Sequence, residues 1–384
     1  MKKVFLLVCL TLFSLTVIQA EENLDSLKAD IVNHYADLVF ANYQDAYDAA
    51  LALDQSLHTF VEEPSEETFQ LAKEAWLAAR EPYGQTEAFR FYAGPIDDIN
   101  GPEGLLNAWP LDEAYIDYIE DNPNTGIINN TEDYPEITRD LLESLNEMGA
   151  EENISVGYHA IEFLLWGQDR SPDTAGQRPL TDFTSGKNAE RRSQYLLIAS
   201  ELLVEHLDYL VQAWNPEIDG NFRETFLTQD LDISLANILT GIGVLSRSEL
   251  AGERIFTAYD NQDQEDEHSC FSDNTHRDIY LNFKGIQNVY LGTYTRIDGT
   301  VMSGPSLSDL LEAVNPELNE TVLDLLTNAE TAVTAIEAPF DQAIIDPAKR
   351  KVVLEAVYNL FDLGDGFSKV GSALGLTINT SLPG

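Results

Sequence analysis

Residues 157–169 read G-Y-H-A-I-E-F-L-L-W-G-Q-D, which sets an imidazole and a carboxylate three positions apart in an otherwise apolar run. On a helix, positions three apart share a face, so His159 and Glu162 can reach a common partner. Tyr158, Ile161, Leu164 and Leu165 fall on the opposite side, while Phe163 and Trp166 flank the polar stripe. A helix that is apolar nearly all round is buried. A buried imidazole and carboxylate then need a partner, which can be each other, a cation or hydrogen-bond donors. A self-satisfying core pair and a metal-ligating pair both fit this spacing. The pattern is neither H-E-x-x-H nor the inverted H-x-x-E-H, because position 163 is Phe. A zinc hydrolase also wants about three protein ligands, an open position and a separate base. Asn153 or Ser155 is expected to cap this helix and Gly167 to end it.

Further ligand types lie in less regular stretches. Tyr83, Glu87, Arg90 and Phe91 share a face beyond Pro82, where Glu87 and Arg90 can equally form an exposed ion pair. Trp109-Pro110-Leu111-Asp112 places an acid beside a bulky anchor, yet Glu103 and Asp112 also suit turn or N-cap positions. In the second half, H-S-C-F-S-D-N-T-H-R-D offers His268, Asp273, His276 and Asp278. His276 fits a metal-gathering loop and a helix-packing role alike. The acidic run 260–267 before it lacks the glycine and closing glutamate of an EF-hand loop and is expected to be solvated.

The chain carries 66 Asp and Glu against 22 Lys and Arg, a net charge of -44. Such a surface repels nucleic acid and anionic lipid and draws in cations, and it equally suits plain solubility in salty or cold water. M-K-K, an apolar stretch through Ile18 and the small residue Ala20 read as a secretory signal peptide over residues 1–20, cleaved near Ala20. The mature protein is therefore expected in the periplasm or cell envelope. Cys9 sits inside the apolar stretch rather than at its end, so a lipoprotein anchor is not expected. No later stretch has the length and apolarity of a transmembrane helix. Cleavage leaves Cys270 as the single cysteine, which rules out an internal disulfide and leaves metal binding to His and carboxylates.

The elements that must position these groups are helices. Val32, Tyr35, Ala36, Val39, Tyr43, Ala46, Tyr47 and Ala50 recur at three- and four-residue steps, and Phe69, Ala72, Trp76 and Ala79 continue the stripe in a second helix. Pro82 should kink or end that second helix. Residues 94–135 are dense in Gly, Pro, Asn and Asp and predict irregular structure with a short helix around 113–120. Helical periodicity returns over 137–148, 154–166, 193–214, 231–259, 279–291, 305–315, 317–335 and 348–372. The reading is an all-α protein of two helical-bundle-like domains, 21–180 and 181–384, whose similar plans suggest a distant duplication.

The opening stretch resembles the G-x-H-x-x-E signature of the imelysin family. F-R-F-Y-A-G-P-I-D, W-P-L-D-E-A-Y-I-D and E-D-E-H-S-C-F-S-D-N-T-H-R-D extend the resemblance to its iron-regulated branch, over about residues 30–370. That resemblance implies a two-domain helical fold, a functional site near the domain interface, and a link to iron uptake. It also brings a historical peptidase label. The signature falls on Gly157, His159 and Glu162, and the resemblance implies that Glu87 and Asp112 complete a metal site, with Arg90, Trp109, His268, Asp273 and His276 as further candidates. The implied guest is a metal ion, iron first and zinc second, and the implied partner an envelope iron transporter or receptor. A zinc metallopeptidase and a non-enzymatic helical scaffold are the alternatives. The sequence assigns no catalytic residue.

Overall fold

The computed structural model describes residues 2–382, with side chains from Glu22 onward. The signal-peptide reading of residues 1–20 falls outside the residues whose side chains are described. Eight long helices carry the architecture: α1 (Lys2–Glu62), α2 (Glu66–Thr86), α3 (Gly157–Trp166), α4 (Ala189–Trp214), α5 (Leu231–Val244), α6 (Thr275–Leu291), α7 (Pro316–Thr334) and α8 (Lys349–Ala373). Among the described residues the strands are confined to one antiparallel hairpin, Thr293–Thr295 with Val301–Ser303. The all-α reading therefore holds, and the hairpin is a small element that the periodicity did not announce. Among the described residues no helix is long and apolar enough to cross a membrane.

Helix α1 buries the expected stripe, from Ile31 and Val32 through Tyr35, Val39, Tyr43, Ala46 and Ala50 to Leu57 and Phe60. Its partner α2 starts at a capping box in which Ser65 and Thr68 satisfy each other's backbone N–H groups, and it buries Phe69, Ala72, Trp76 and Ala79 against α1. Pro82 does not end α2, which runs on to Thr86. The Asn42 amide donates to the Pro82 carbonyl at 2.9 Å, tying that turn to α1. Helix α2 also packs against α3 and against α6 from the second half of the chain. At its tightest the α2–α6 approach requires glycine: a Cβ on Gly285 would lie 2.3 Å from the Gln85 carbonyl oxygen. Helix α4, which opens the domain expected at 181–384, packs on α1 and α3 of the first. One continuous apolar core runs from Ile31 to Val370.

Two local expectations change. Helix α3 is capped by neither Asn153 nor Ser155. Its N-cap is Val156, without a side-chain bond, while the Ser155 hydroxyl donates to Leu142 O and the Asn153 amide to Met148 O. Gly157 makes this start workable, because its φ is +87° and a Cβ there would sit 2.7 Å from the Leu106 carbonyl oxygen. Gly167 ends the helix as expected, at φ +73°. The helical run expected at 231–259 is the second change. It widens into a π-helical segment, Leu245–Phe256, before closing as Thr257–Asn261. Such wide turns cost hydrogen-bond geometry and are found mostly where a site needs the altered side-chain placement.

Candidate functional site

All ten residues of α3 are buried, so the chemistry of His159 and Glu162 is decided by their neighbours. His159 Nδ1 lies 2.9 Å from Glu162 Oε2, and the other oxygen, Oε1, accepts from the backbone N (3.0 Å) and hydroxyl (2.7 Å) of Ser272. His159 Nε2 has no hydrogen-bond partner. Its ring stands edge-on to that of His268, with centroids 4.6 Å apart, and to Trp109 at 5.1 Å. His268 repeats the arrangement: its Nδ1 faces Asp278 Oδ2 at 3.2 Å, and its Nε2 makes only a 3.4 Å contact with the Asn107 amide. Each imidazole thus has a carboxylate at Nδ1 and an Nε2 that is free or nearly so. An Nδ1–H donated to a carboxylate fixes the tautomer that leaves a lone pair on Nε2.

Electrostatics keep both imidazoles neutral. Burial, helped by His268 and Arg80, pushes His159 well below its ordinary pKa, and burial with Arg254 lowers His268 to about 4. Burial raises Glu162 to about 8 against the opposing Ser272 hydroxyl.

Around the imidazoles lies a paired network. The Arg80 guanidinium donates to both oxygens of Asp278 (3.3 and 3.0 Å) and to the Asn107 side-chain carbonyl (2.6 Å). Asn107 donates to Glu87 Oε1 at 3.2 Å, and Glu87 Oε2 accepts from Arg254 (2.6 Å) and Arg90 (2.8 Å). Arg254 also reaches Glu249 (2.9 Å), and Arg90 reaches Glu103 (3.1 Å). Burial works against the Glu87 charge, but Arg254 and Arg90 outweigh it and hold its pKa at about 2. Asp278 is likewise held well below the usual carboxylate range, where Arg80 and His268 overcome burial.

A cleft of about 300 Å3 opens onto this network. Asn107 and His268 form its floor, Arg90, Trp109 and Arg254 its wall, and Glu103, Glu147, Glu151, Glu249, Glu253 and Asp266 an acidic rim. It reaches the paired imidazoles through His268.

The structure gathers eight of the residues singled out in the sequence: His159, Glu162, Glu87, Arg90, Glu103, Trp109, His268 and Asp278. Glu87 and Arg90 do pair, but Glu87 is 1% exposed, so the pair is a buried one rather than the surface bridge its spacing suggested. Gly157 serves the backbone. Asp112 is exposed, and its carboxylate accepts from Ala114 N as the N-cap of Glu113–Ile116, so this geometry gives it a capping role. His276 Nδ1 meets the Asp273 carbonyl oxygen at 3.1 Å. The Asp273 carboxylate belongs to a different group, with Asp169 and Asp341. The acidic run is not wholly solvated either, since its last residue, Glu267, is fully buried. Arg80, Asn107, Glu249, Arg254 and Ser272 were not singled out. Arg80 alone carried a signal, as a charged residue within the apolar stripe of α2.

A long paired helix, a buried H-x-x-E helix and a cleft where the two halves meet define a helical, site-bearing fold whose relatives can be named. The Imelysin family profile matches residues 39–365, and the chain belongs to the imelysin family. Iron-regulated protein A of Synechococcus elongatus is 27% identical over 327 residues, which is 83% of this chain and 78% of that one. A crystal structure described as an iron-regulated protein A precursor from Parabacteroides distasonis superposes with a TM-score of 0.73 at 22% identity, covering 91% of this chain and 95% of the other. An imelysin-like protein from Psychrobacter arcticum gives 0.66 at 14% identity, over 92% and 97%. Both solved structures share the fold.

Proposed function

We propose that this chain is an exported, iron-linked imelysin-type protein that binds a metal ion at the cleft floored by His268 and backed by His159. The carrying observation is the orphaned Nε2 of His159, buried beside a second imidazole whose Nδ1 is likewise held by a carboxylate. A buried nitrogen without a partner is costly unless a ligand satisfies it. In this reading His159 and His268 supply the nitrogen ligands, while Glu162 and Asp278 orient them from behind, the usual outer-shell arrangement for metal-binding imidazoles.

Imidazole with neighbouring carboxylate suits iron or zinc rather than a soft ion. The acidic rim would concentrate cations at the mouth. The guanidinium groups of Arg80, Arg90 and Arg254 do not oppose this, because Asp278, Glu87, Glu103 and Glu249 already answer their charge. The name of the Synechococcus relative supports iron over zinc. The signal-peptide-like sequence of residues 1–20 supports an envelope location, where the partner would be an iron transporter or receptor. A peptidase would need a base beside a metal-bound water, whereas Glu162 and Asp278 are turned to the Nδ1 sides of the imidazoles.

Anaerobic titration of the chelator-stripped mature chain with Fe(II), and separately with Zn(II), tests the proposal. Stoichiometric binding that His159→Ala and His268→Ala each abolish is the expected result. No stoichiometric binding, or binding that survives both substitutions, rejects it.

A further inference from the structure

A second group of acids lies apart from the cleft. Carboxylate oxygens of Asp169, Asp273 and Asp341 come within 4.8 Å of one another. Asp169 lies two residues past the Gly167 stop of α3, Asp273 in the loop before α6, and Asp341 in the first turn of Phe340–Ile345. Glu267 supplies an independent observation. It stands outside that trio, is 0% exposed, has no close hydrogen-bond partner on either oxygen, and faces Asp341. Asp341 is 1% exposed with both oxygens unpartnered, and Asp169 Oδ2 and Asp273 Oδ1 are unpartnered as well. The compensation on offer includes no cation: Ser171 N donates to Asp169 at 3.1 Å, the Arg170 and Ala175 backbones donate to Asp169 and Asp273, the Thr275 hydroxyl stands near Glu267, and Asp341 lies against Glu267 and Asp169.

Buried carboxylates are normally paired with a cationic side chain or a metal. Among the described residues, no Lys, Arg or His forms an ion pair with any of these four. Nearby Arg170 pairs with Glu120, and Arg178 with Asp117 and Asp182. Burial together with mutual repulsion raises Asp169 and Asp273 to about 7.

We propose that Asp169, Glu267, Asp273 and Asp341 form a site for a hard divalent cation of the calcium class, separate from the imidazole cleft. The donors are all oxygens, and the 4.8 Å spacing of Asp169, Asp273 and Asp341 suits a cation bonded at about 2.3–2.6 Å, with Glu267 beside Asp341 as the fourth carboxylate. No imidazole or thiolate joins them, which argues against a transition metal. The site stitches three places in the chain together: the exit of α3, the segment from Glu267 to Asp273, and the C-terminal helices. That middle segment also carries His268 and Ser272, so the cation would pin the loop that shapes the cleft.

The test uses the chelator-stripped mature chain in about 0.15 M NaCl, an ionic strength at which interactions of the acidic surface are screened. CaCl2 is added while melting temperature and dialysis stoichiometry are followed. The wild type is expected to bind stoichiometrically and to melt higher as calcium saturates. Glu267→Gln with Asp341→Asn should melt above the wild type in chelator and lose the calcium response. Asp273→Asn, at a half-buried position, should fold normally and weaken the calcium Kd by about tenfold or more, given how ligand charge tunes such sites. His159→Ala should leave calcium binding intact, which separates this site from the metal reading of the cleft. Absence of a calcium effect on the wild type overturns the proposal. So does a response unchanged in Asp273→Asn or in the double variant, which would mark binding by the acidic surface only.

Discussion

Glu267 and His268 are consecutive residues, both buried, yet they enter opposite electrostatic worlds. His268 joins a network in which Arg80, Arg90 and Arg254 answer Glu87, Asp278, Glu103 and Glu249. Glu267 joins Asp169, Asp273 and Asp341, which no cationic side chain answers among the described residues. The contrast teaches where a guest charge is needed. Beneath the cleft the buried carboxylates Glu87 and Asp278 are already paired and the unmet group is a neutral nitrogen, so the site invites a metal that accepts imidazole. In the acid group the unmet quantity is charge itself, so it invites a hard cation.

The contrast can be broken by substitution. Asp278→Asn removes the counter-charge of a buried arginine and should cost about 3–5 kcal/mol in denaturant unfolding, the range for breaking a buried pair from one side. A neutral outcome would mean that Arg80 finds water and that the network is less closed than its distances indicate. Gly157→Ala strains only the cleft side, through its positive φ and the Leu106 carbonyl, and should cost about 1–3 kcal/mol. It should also weaken iron binding while leaving calcium binding alone.

Glu267→Gln should act with the opposite sign, stabilising the calcium-free chain by about 1–2 kcal/mol, because it relieves a buried unpaired carboxylate. Destabilisation there would dissolve the distinction between the two regions.

Acidity sharpens the comparison further. Glu87 is held at about 2, below its ordinary 4.5, so its contribution is present above about pH 4.5 and is lost as pH falls towards 2. Asp169 and Asp273 sit at about 7, above their ordinary 3.8, so in the calcium-free chain their protonated forms favour folding at low pH and that advantage is lost as pH rises through 7. Against a chain carrying Asp169→Asn with Asp273→Asn, the chelated wild type should therefore gain melting temperature as pH drops from about 7 to about 4, while the buried neutral His159 and His268 lower the melting of both chains below about pH 6.5. The smallest effect belongs to Asp112→Ala, which should cost about 1 kcal/mol through the lost N-cap and leave iron affinity unchanged. A loss of iron binding would restore Asp112 as a ligand.

Much of this was legible in the sequence, for definable reasons. Three- and four-residue apolar steps gave the long helices, because burial of one face dictates that period. The pairing of His159 with Glu162 followed from spacing within one turn. The π-helical widening at Leu245–Phe256 was not legible, since the same apolar steps also fit an ordinary helix. Neither was the convergence of Asp169 with Asp341, which depends on how the C-terminal helices dock. Asp112 read two ways because one residue type serves both as N-cap and as ligand, and the structure shows its carboxylate capping Glu113–Ile116.

The central claim is that His159 and His268 hold the metal through Nε2. X-ray absorption at the iron edge of the loaded mature chain, with calcium present to fill the acid group, reads the ligand atoms directly. Imidazole nitrogen scattering is expected in the first coordination sphere and should diminish when either histidine is replaced by alanine. A first sphere of oxygens alone, unchanged by those replacements, would contradict it.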